Sequence, residues 1–365
     1  MRLKFCLAQK SCKICDCGSL HLDVTQHIEL QFKTKPKRYT HSHEAISMKK
    51  LFLSLSSLAL ATLSFAQPAM WGTPVAPRPE SVALAQSVPI ADVHMHFNAK
   101  GQQTVQQMLQ RMQEGNIRWG GGVGDYTGEM QAALGERYIA AIGQTEFTKV
   151  LMSSGEKGLQ NLEHPVFVEF FKEAEAMMAS GKARGFGEIH IDNKTTTNFN
   201  DPFGRSIPLE SPVVQRMYEI ANEHKGFVQI HYDKSFRTVD QIITMAQRYP
   251  KSLTIVSHCM PKGTPDDMRK IFAAAPNVIC EISGATHIHG IPRIVTPSGI
   301  NSRWLQMIED YPDRVMMGTD PCCGLMGRYN EIVQVMRSQA LSAMKPETLE
   351  MVAYKNALRV FGLPN

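Results

Sequence analysis

The 365-residue chain lacks several sequence patterns, each of which would have indicated a particular mechanism. No G-x-S-x-G motif occurs, so the strained turn that presents a serine nucleophile in α/β-hydrolases is not predicted. The glycine-rich run at residues 120–124 lacks the Lys-Ser/Thr pair of a P-loop, and we predict a tight loop after a strand instead. The cysteines have no evident base beside them to form a reactive thiolate. Covalent serine or cysteine catalysis is therefore not indicated.

The chain also lacks a strong net charge once its first residues are set aside. It has 39 basic and 34 acidic residues in total, but ten of the basic and four of the acidic residues lie within residues 1–66. The remainder is close to neutral, so we expect no nucleic-acid partner. The apolar run at residues 51–66 is too short and too rich in serine to form a good membrane span.

Residues 48–66 have the arrangement of a secretory signal peptide. A basic start precedes an apolar segment, and small residues at Ser64 and Ala66 stand where a signal peptidase cuts. We therefore expect a mature chain that begins at Gln67, is periplasmic or secreted, and has no membrane attachment after cleavage. Because a signal peptide begins at the initiator methionine, residues 1–47 are expected to be a non-native upstream extension.

Four cysteines follow the predicted cleavage site: Cys259, Cys280, Cys322 and Cys323. An exported protein can form disulfides among such residues. Spacing alone does not assign a pair, and the two adjacent cysteines are sterically awkward to join.

Eight short apolar segments alternate with amphipathic stretches of helix length. This alternation predicts a parallel sheet, and eight repeats over about 275 residues fit an α/β fold of the (β/α)8 TIM barrel type, usually roughly 250 residues long. We predict a linker at residues 67–87 and the barrel domain at residues 88–365. The predicted strands are residues 88–97, 116–123, 137–143, 184–191, 226–233, 253–259, 277–284 and 314–320.

Residue types that bind metals end several of these segments. His94 and His96 end the first segment and share one strand face, because side chains alternate along a strand. His231 and His258 end the fifth and sixth segments, and Asp320 ends the eighth. The carboxyl ends of barrel strands meet at one rim, where TIM-barrel enzymes have their active sites. We therefore expect these side chains to lie together around a metal.

This ordered set, with the segment N-A-L-R-V-F-G-L at residues 356–363, resembles the amidohydrolase superfamily and in particular its amidohydrolase-2-like branch. Members are metal-dependent hydrolases on a TIM barrel, with some decarboxylases and lactonases among them. The resemblance implies a divalent metal, with zinc as the expected ion. It also implies that His258 either binds a second metal or orients the substrate. The implied metal ligands are His94, His96, His231 and Asp320.

The fourth segment determines whether the site holds one metal or two. Many amidohydrolases bridge two ions there with a carbamylated lysine, but the nearest lysine, Lys194, lies beyond the end of the segment. Gly187-Glu188 instead resembles the Gly-Glu of TatD-type metal nucleases, in which the glutamate bridges two metals. Two roles stay open for Glu188: a metal bridge, or a buried ion pair or hydrogen bond to a ligand histidine.

Three further histidines are candidate contacts to the substrate. His190 has the same strand parity as Glu188, which places it nearer the mouth of the barrel. His287 and His289 lie in the loop after the seventh segment, on the rim that carries function in this fold.

The expected chemistry is hydrolysis of a small amide, lactone or ester. A metal ion lowers the pKa of its water to about 7, and Asp320 then accepts the proton of that water and passes it to the leaving group. One alternative is a decarboxylase that uses Asp320 and His258 to handle protons. Another is a catalytically inactive binding protein, although such a protein has little need for the base Asp320. The partner is a small-molecule substrate, and the sequence leaves a homo-oligomer open.

Overall fold

The computed structural model describes residues 70–97, 103–195 and 202–365. The predicted upstream extension, signal peptide and cleavage site lie outside these residues. Within the described ranges, no helix has both the length and the apolar character that crossing a membrane requires.

Eight parallel strands, one in each predicted segment, form a barrel. The first three pair in order, and the third to the eighth pair in order in a second ladder. The third strand consists of two pieces on either side of Ala140. The strands are β1 (Ile90–Asp92), β2 (Ile117–Gly121), β3 (Tyr138–Ile139 and Ala141–Gly143), β4 (Gly185–Asp192), β5 (Phe227–Tyr232), β6 (Leu253–Val256), β7 (Val278–Glu281) and β8 (Val315–Met316).

Backbone hydrogen bonds also join the residues that follow β8 to those that follow β1. The Val93 N–H donates to the Met317 carbonyl at 3.2 Å, and the Asp320 N–H donates to the His94 carbonyl at 2.9 Å. These bonds bring the first and last strands together, so the predicted TIM barrel is confirmed. Apart from β4, the strands are shorter than predicted, and β1 ends at Asp92, before the two histidines of the first segment.

Helices follow the strands and cover the outside of the barrel. The pairs Ser211-Pro212 and Thr264-Pro265 each place a cap residue before a proline, a pattern that predicts the start of a helix. Helices do begin at both prolines, and Thr264 forms a capping box with Asp267. The α-helices after β1 are Val105–Glu114, Gly128–Leu134, Gln144–Gly158, Pro165–Ala179, Pro212–Glu223, Thr238–Arg248, Pro265–Ala274, Ser302–Asp310, Tyr329–Val335, Pro346–Glu350 and Asn356–Phe361.

The segment before the barrel differs from the linker predicted at residues 67–87, because part of it is a helix, Pro79–Ser87. Ser81 and Ala85 on this helix are buried. The Ser81 hydroxyl donates to the Met344 carbonyl at 2.6 Å, and Arg337 donates to the Ala85 carbonyl at 2.6 Å. These long-range bonds attach the helix to the fold, and neither could be read from its local composition.

The barrel interior changes from apolar to polar along the strands. Ile279 on β7 belongs to an interior apolar cluster that Phe361 and Leu363 of the C-terminal segment complete. Two residues further along the same face, Glu281 is fully buried and polar. Alternation along β7 therefore places an apolar layer below a layer of charged side chains.

Candidate metal centre

Six predicted site residues lie together at the carboxyl-end rim of the barrel. All of them except His231 are buried, and His231 is partly buried. Their nitrogen and oxygen atoms form overlapping groups whose members lie within 4.8 Å of one another. The structure therefore brings together His94, His96, Glu188, His231, His258 and Asp320.

The carboxylate of Glu188 lies at the centre of this cluster. Its Oε1 is 2.9 Å from His231 Nδ1 and 3.2 Å from His258 Nε2. Its Oε2 is 3.3 Å from both His94 Nε2 and His190 Nε2. One carboxylate thus contacts four histidines, two on strands β4 and β5 and two in the loops that follow β1 and β6.

The glycine-rich run after β2 holds the backbone beside Glu188. Gly124 has a φ of 79°, and a Cβ at this position would lie 1.3 Å from the Gly187 carbonyl oxygen. Only glycine permits this approach. The Glu188 N–H donates to the Val123 carbonyl from the same run. The run is the tight loop that the sequence predicted, and it supports the central carboxylate.

Asp320 lies across the cluster from Glu188. Its Oδ1 is 3.4 Å from His96 Nε2 and 3.6 Å from His94 Nε2, and its Oδ2 is 3.9 Å from His258 Nε2. His289 Nε2 is 3.1 Å from the Asp320 carbonyl oxygen. His289, predicted as a substrate contact, therefore contacts the backbone that carries Asp320.

Hydrogen bonds to the outer ring nitrogens orient the histidines. His94 Nδ1 is 2.9 Å from Glu281 Oε1, and His258 Nδ1 is 3.1 Å from the Ser283 carbonyl oxygen. In both rings Nδ1–H is the donor, so Nε2 is the ring nitrogen that faces the cluster. His231 has the reverse arrangement, because its Nε2 lies 3.3 Å from the carboxylate of Asp233.

Burial and neighbouring charges strongly shift the pKa values of the two carboxyl groups in the cluster. Burial raises the pKa of Glu188, but the neighbouring His190 and His94 outweigh it and hold that pKa well below its usual value. Burial likewise raises the pKa of Asp320, and His94 and His96 hold it well below the ordinary value. Both carboxylates are therefore ionised in this environment.

The pKa values of the imidazoles of His231 and His190 shift in opposite directions. Burial lowers the pKa of His231, but hydrogen bonds to Asp233 and Glu188 raise it to about 9. Burial and the nearby Arg205 cation lower the pKa of His190 to about 3, against the raising effect of Glu188. The two imidazoles beside Glu188 therefore differ widely in how readily they bind a proton.

The residues fit a divalent metal. His94 Nε2 and Asp320 Oδ1 are buried atoms without a hydrogen-bond partner in the described part of the chain, and they lie 3.6 Å apart. Buried polar atoms normally have partners, so a ring nitrogen and a carboxylate oxygen that both lack one, this close together, are a suitable place for a cation. Glu188 and Glu281 add two more buried carboxylates whose charge needs compensation.

Two carboxylates to which the sequence reasoning gave no role support the cluster. Glu281 ends the apolar run of β7, as the other ligand candidates end theirs, and this placement was a signal that could have identified it. Asp92 accepts hydrogen bonds from the Thr319 N–H at 2.9 Å, the Thr319 hydroxyl at 2.6 Å and the Tyr329 hydroxyl at 2.8 Å. It thereby ties β1 to the loop that carries Asp320.

Two other residues from the sequence argument lie apart from the central carboxylate. Lys194 forms an ion pair with Glu156 at 2.6 Å, so its amine is directed to that surface pair. His287 lies in the short 3-10 helix His287–His289 after β7, and its Nδ1 is buried with no hydrogen-bond partner among the described residues.

The four cysteines of the described region form one disulfide and one pair of free thiols. Cys259 and Cys280 are joined, with their Cα atoms 4.9 Å apart. They follow His258 and precede Glu281, so the bond links the two segments that carry these residues. Cys322 and Cys323 are free, and their sulfur atoms lie 2.8 Å apart.

Comparison with known proteins identifies a family. Residues 91–363 match the model of the family Amidohydro_2, described as amidohydrolase. No curated protein matches the chain.

Several solved structures resemble this fold at low identity. An amidohydrolase from Burkholderia multivorans with bound zinc is 16% identical, with a TM-score of 0.44, over 72% of this chain and 89% of that one. A dihydroorotase from Campylobacter jejuni is 12% identical, with a TM-score of 0.45, over 76% and 84% respectively. A dihydroxybenzoic acid decarboxylase from Polaromonas sp. JS666 with bound manganese is 10% identical, with a TM-score of 0.44, over 71% and 86%.

Such distant similarities do not indicate a substrate. The family match is different in kind, because it spans 273 of the 365 residues and includes every residue of the cluster described above. The chain belongs to the amidohydrolase family.

Proposed function

We propose that this protein is a metal-dependent hydrolase that acts on a small amide, lactone or ester. The observation that carries the proposal is the pair formed by His94 Nε2 and Asp320 Oδ1, both buried and both without a hydrogen-bond partner among the described residues. A packing role would leave both of these buried atoms without a hydrogen bond. A cation held by both atoms accounts for the pair and leaves the second oxygen of Asp320 to take a proton.

The proposed ligands divide into two groups that share Glu188. His94 and His96 form one group with it, and His231 and His258 form the other. Imidazole and carboxylate donors suit zinc, which is the ion we propose. When bound, a divalent ion polarises a carbonyl oxygen and lowers the pKa of water to about 7.

Asp320 is the proposed general base. Its Oδ1 is held next to the histidines by the left-handed backbone at this residue, with a φ of 53°, and by the bond from its N–H to the His94 carbonyl. Since the neighbouring imidazoles keep it ionised, it can accept a proton from a water molecule and return that proton to the leaving group. His258 Nε2 faces the same space, 3.9 Å from Asp320 Oδ2, as one of the proposed ligands of the second group.

The test compares Asp320→Asn with Asp313→Asn, an exposed aspartate on the same stretch of chain. Turnover of a panel of lactones, amides and esters should fall at least about a hundredfold in Asp320→Asn, because the general base is lost. Metal content, measured by plasma mass spectrometry, should fall less, and Asp313→Asn should match the wild type. A fully active Asp320→Asn enzyme would reject the proposed base.

The same panel should include aromatic carboxylates. Release of carbon dioxide from one of these, with no hydrolysis of any other compound, would replace the hydrolase proposal with a decarboxylase on the same residues.

We also propose that the protein is exported. The disulfide between Cys259 and Cys280 supports this, since such bonds persist in oxidising compartments. N-terminal sequencing of protein from the periplasm or medium should give Gln67 as the first residue. Recovery of an intracellular protein that retains residues 1–47 would contradict both the location and the expected start.

A further inference from the structure

Cys322 lies at the edge of the proposed metal centre, two residues beyond Asp320. Its Sγ, a ring nitrogen of His96 and a carboxylate oxygen of Asp320 all lie within 4.8 Å of one another. The His96 and Asp320 atoms of this group are 3.4 Å apart. Metal bonds of about 2.0 to 2.3 Å separate two ligands of a tetrahedral ion by roughly 3.3 to 3.8 Å. This edge of the cluster therefore already has the spacing of a ligand pair.

The second observation is the unpaired oxygen on that edge. Asp320 is 7% exposed, and its Oδ1, the atom closest to His96, has no hydrogen-bond partner in the part of the chain that the structure describes. The oxygen of this group therefore lacks a hydrogen-bond partner, although a ring nitrogen lies 3.4 Å away. A cation bound within the group would provide that partner.

The backbone explains why the thiol lies there. Asp320 and Cys323 both have left-handed backbones, with φ angles of 53° and 57°, so the chain turns sharply between them. The turn leaves Cys322 partly buried beside the cluster and Cys323 exposed. The two cysteines thus occupy different environments although they are adjacent.

We infer that Cys322 is a sulfur ligand of the metal centre, acting with His96 and Asp320, and that it makes the site selective for a thiophilic divalent ion such as zinc, cobalt or cadmium. The inference rests on the proposed metal-dependent function and adds a ligand type to it. As the sulfur–metal bond forms, the S–H bond breaks and its proton goes to solvent, with no oxidation. Thiolate ligands favour zinc, whereas magnesium and manganese prefer oxygen.

The test uses cobalt(II) as the probe and the full chain as purified, with Cys323→Ser as the matched control for Cys322→Ser. The wild type and Cys323→Ser should gain a thiolate-to-cobalt charge-transfer band in the near ultraviolet, together with visible ligand-field bands. Cys322→Ser should keep the visible bands and lose the ultraviolet band. Its affinity for cadmium, measured by competition with a chelator, should fall at least about tenfold, since even partners outside the ligand shell contribute that much.

An X-ray absorption spectrum of the zinc-loaded wild type provides a test that needs no variant. It should show one sulfur atom at about 2.3 Å from the metal. The inference is overturned if that sulfur is absent, if Cys322→Ser retains the ultraviolet band, or if mass spectrometry finds a Cys322–Cys323 disulfide in the loaded protein. If the wild type shows the visible cobalt bands but no thiolate-to-cobalt band, Cys322 is not a ligand, and the proposed metal-dependent function is unaffected. Failure of the wild type to bind cobalt or zinc rejects the metal-dependent function with it.

Discussion

Replacing Glu281 by glutamine tests whether this buried carboxylate supports the metal ligands. Its two oxygens accept three hydrogen bonds inside the barrel. Oε1 accepts from His94 Nδ1 at 2.9 Å and from the His258 N–H at 2.8 Å, and Oε2 accepts from the Ser283 N–H at 2.7 Å. All three donors are buried, so each needs an acceptor.

The expected loss of stability follows from these bonds. Glutamine keeps the shape and one acceptor oxygen, but its NH2 group faces a donor in place of the second oxygen. If the amide oxygen stays near His94, the Ser283 N–H loses a bond to a charged acceptor, which contributes ~1.5–3 kcal/mol. The glutamine NH2 group and the Ser283 N–H are both donors, so the buried Ser283 N–H is left without an acceptor, at a further cost of ~1–3 kcal/mol. We expect the free energy of unfolding to fall by ~3 kcal/mol or more, and the melting temperature by at least about 6 °C.

Metal affinity should fall as well. Without the charge of Glu281, His94 Nδ1–H has only a neutral acceptor and the ring becomes a less basic ligand, and losses of this kind lower affinity roughly 10- to 100-fold. Thermal unfolding followed by circular dichroism and zinc competition with a fluorescent chelator would measure the two effects. Glu173→Gln, at an exposed position of the helix Pro165–Ala179, controls for the change in net charge. Wild-type stability and zinc affinity in Glu281→Gln would refute the reasoning.

Two further substitutions test the geometry of the cluster. Glu188→Gln should halve the metal content per chain, because Glu188 is shared by both ligand groups, and unchanged content in a metal-replete preparation would exclude a bridge. Gly284→Ala should lower stability by ~1–3 kcal/mol and reduce metal content, since its Cβ would lie 2.5 Å from His258 Nδ1 and 2.9 Å from Asp320 Oδ2. Gly290→Ala has a similar left-handed backbone in open space and should keep its metal; equal metal loss in both variants would contradict the steric argument.

Most of the barrel could be predicted because its signals are local. Each strand is a short apolar run, and each of the intervening helices repeats apolar residues along one face. The helix starts at Pro212 and Pro265 were also predicted correctly, since a cap residue before a proline depends only on neighbouring residues. The helix Pro79–Ser87 was not predicted, because contacts with Met344 and Arg337, both more than 250 residues away, hold it on the fold.

The candidate site was partly predictable for the same reason. His231 and His258 stand at the ends of apolar runs, and a barrel collects such ends at one rim. The pairing of Cys259 with Cys280 could not be predicted, because it requires the spacing between β6 and β7. The position of Cys322 beside His96 depends on a sharp turn after Asp320 that no composition signal marks.

The sequence by itself determined the fold class and the set of metal-binding residue types, because both follow from the order of apolar runs and from what ends each run. Only the tertiary structure decided how these residues share their charges. It placed Glu188 among histidines from separate strands, gave His94 the buried partner Glu281 and left Asp320 Oδ1 unpaired beside them. Those relations are distances between segments far apart in the chain, and they exist only once the barrel has closed.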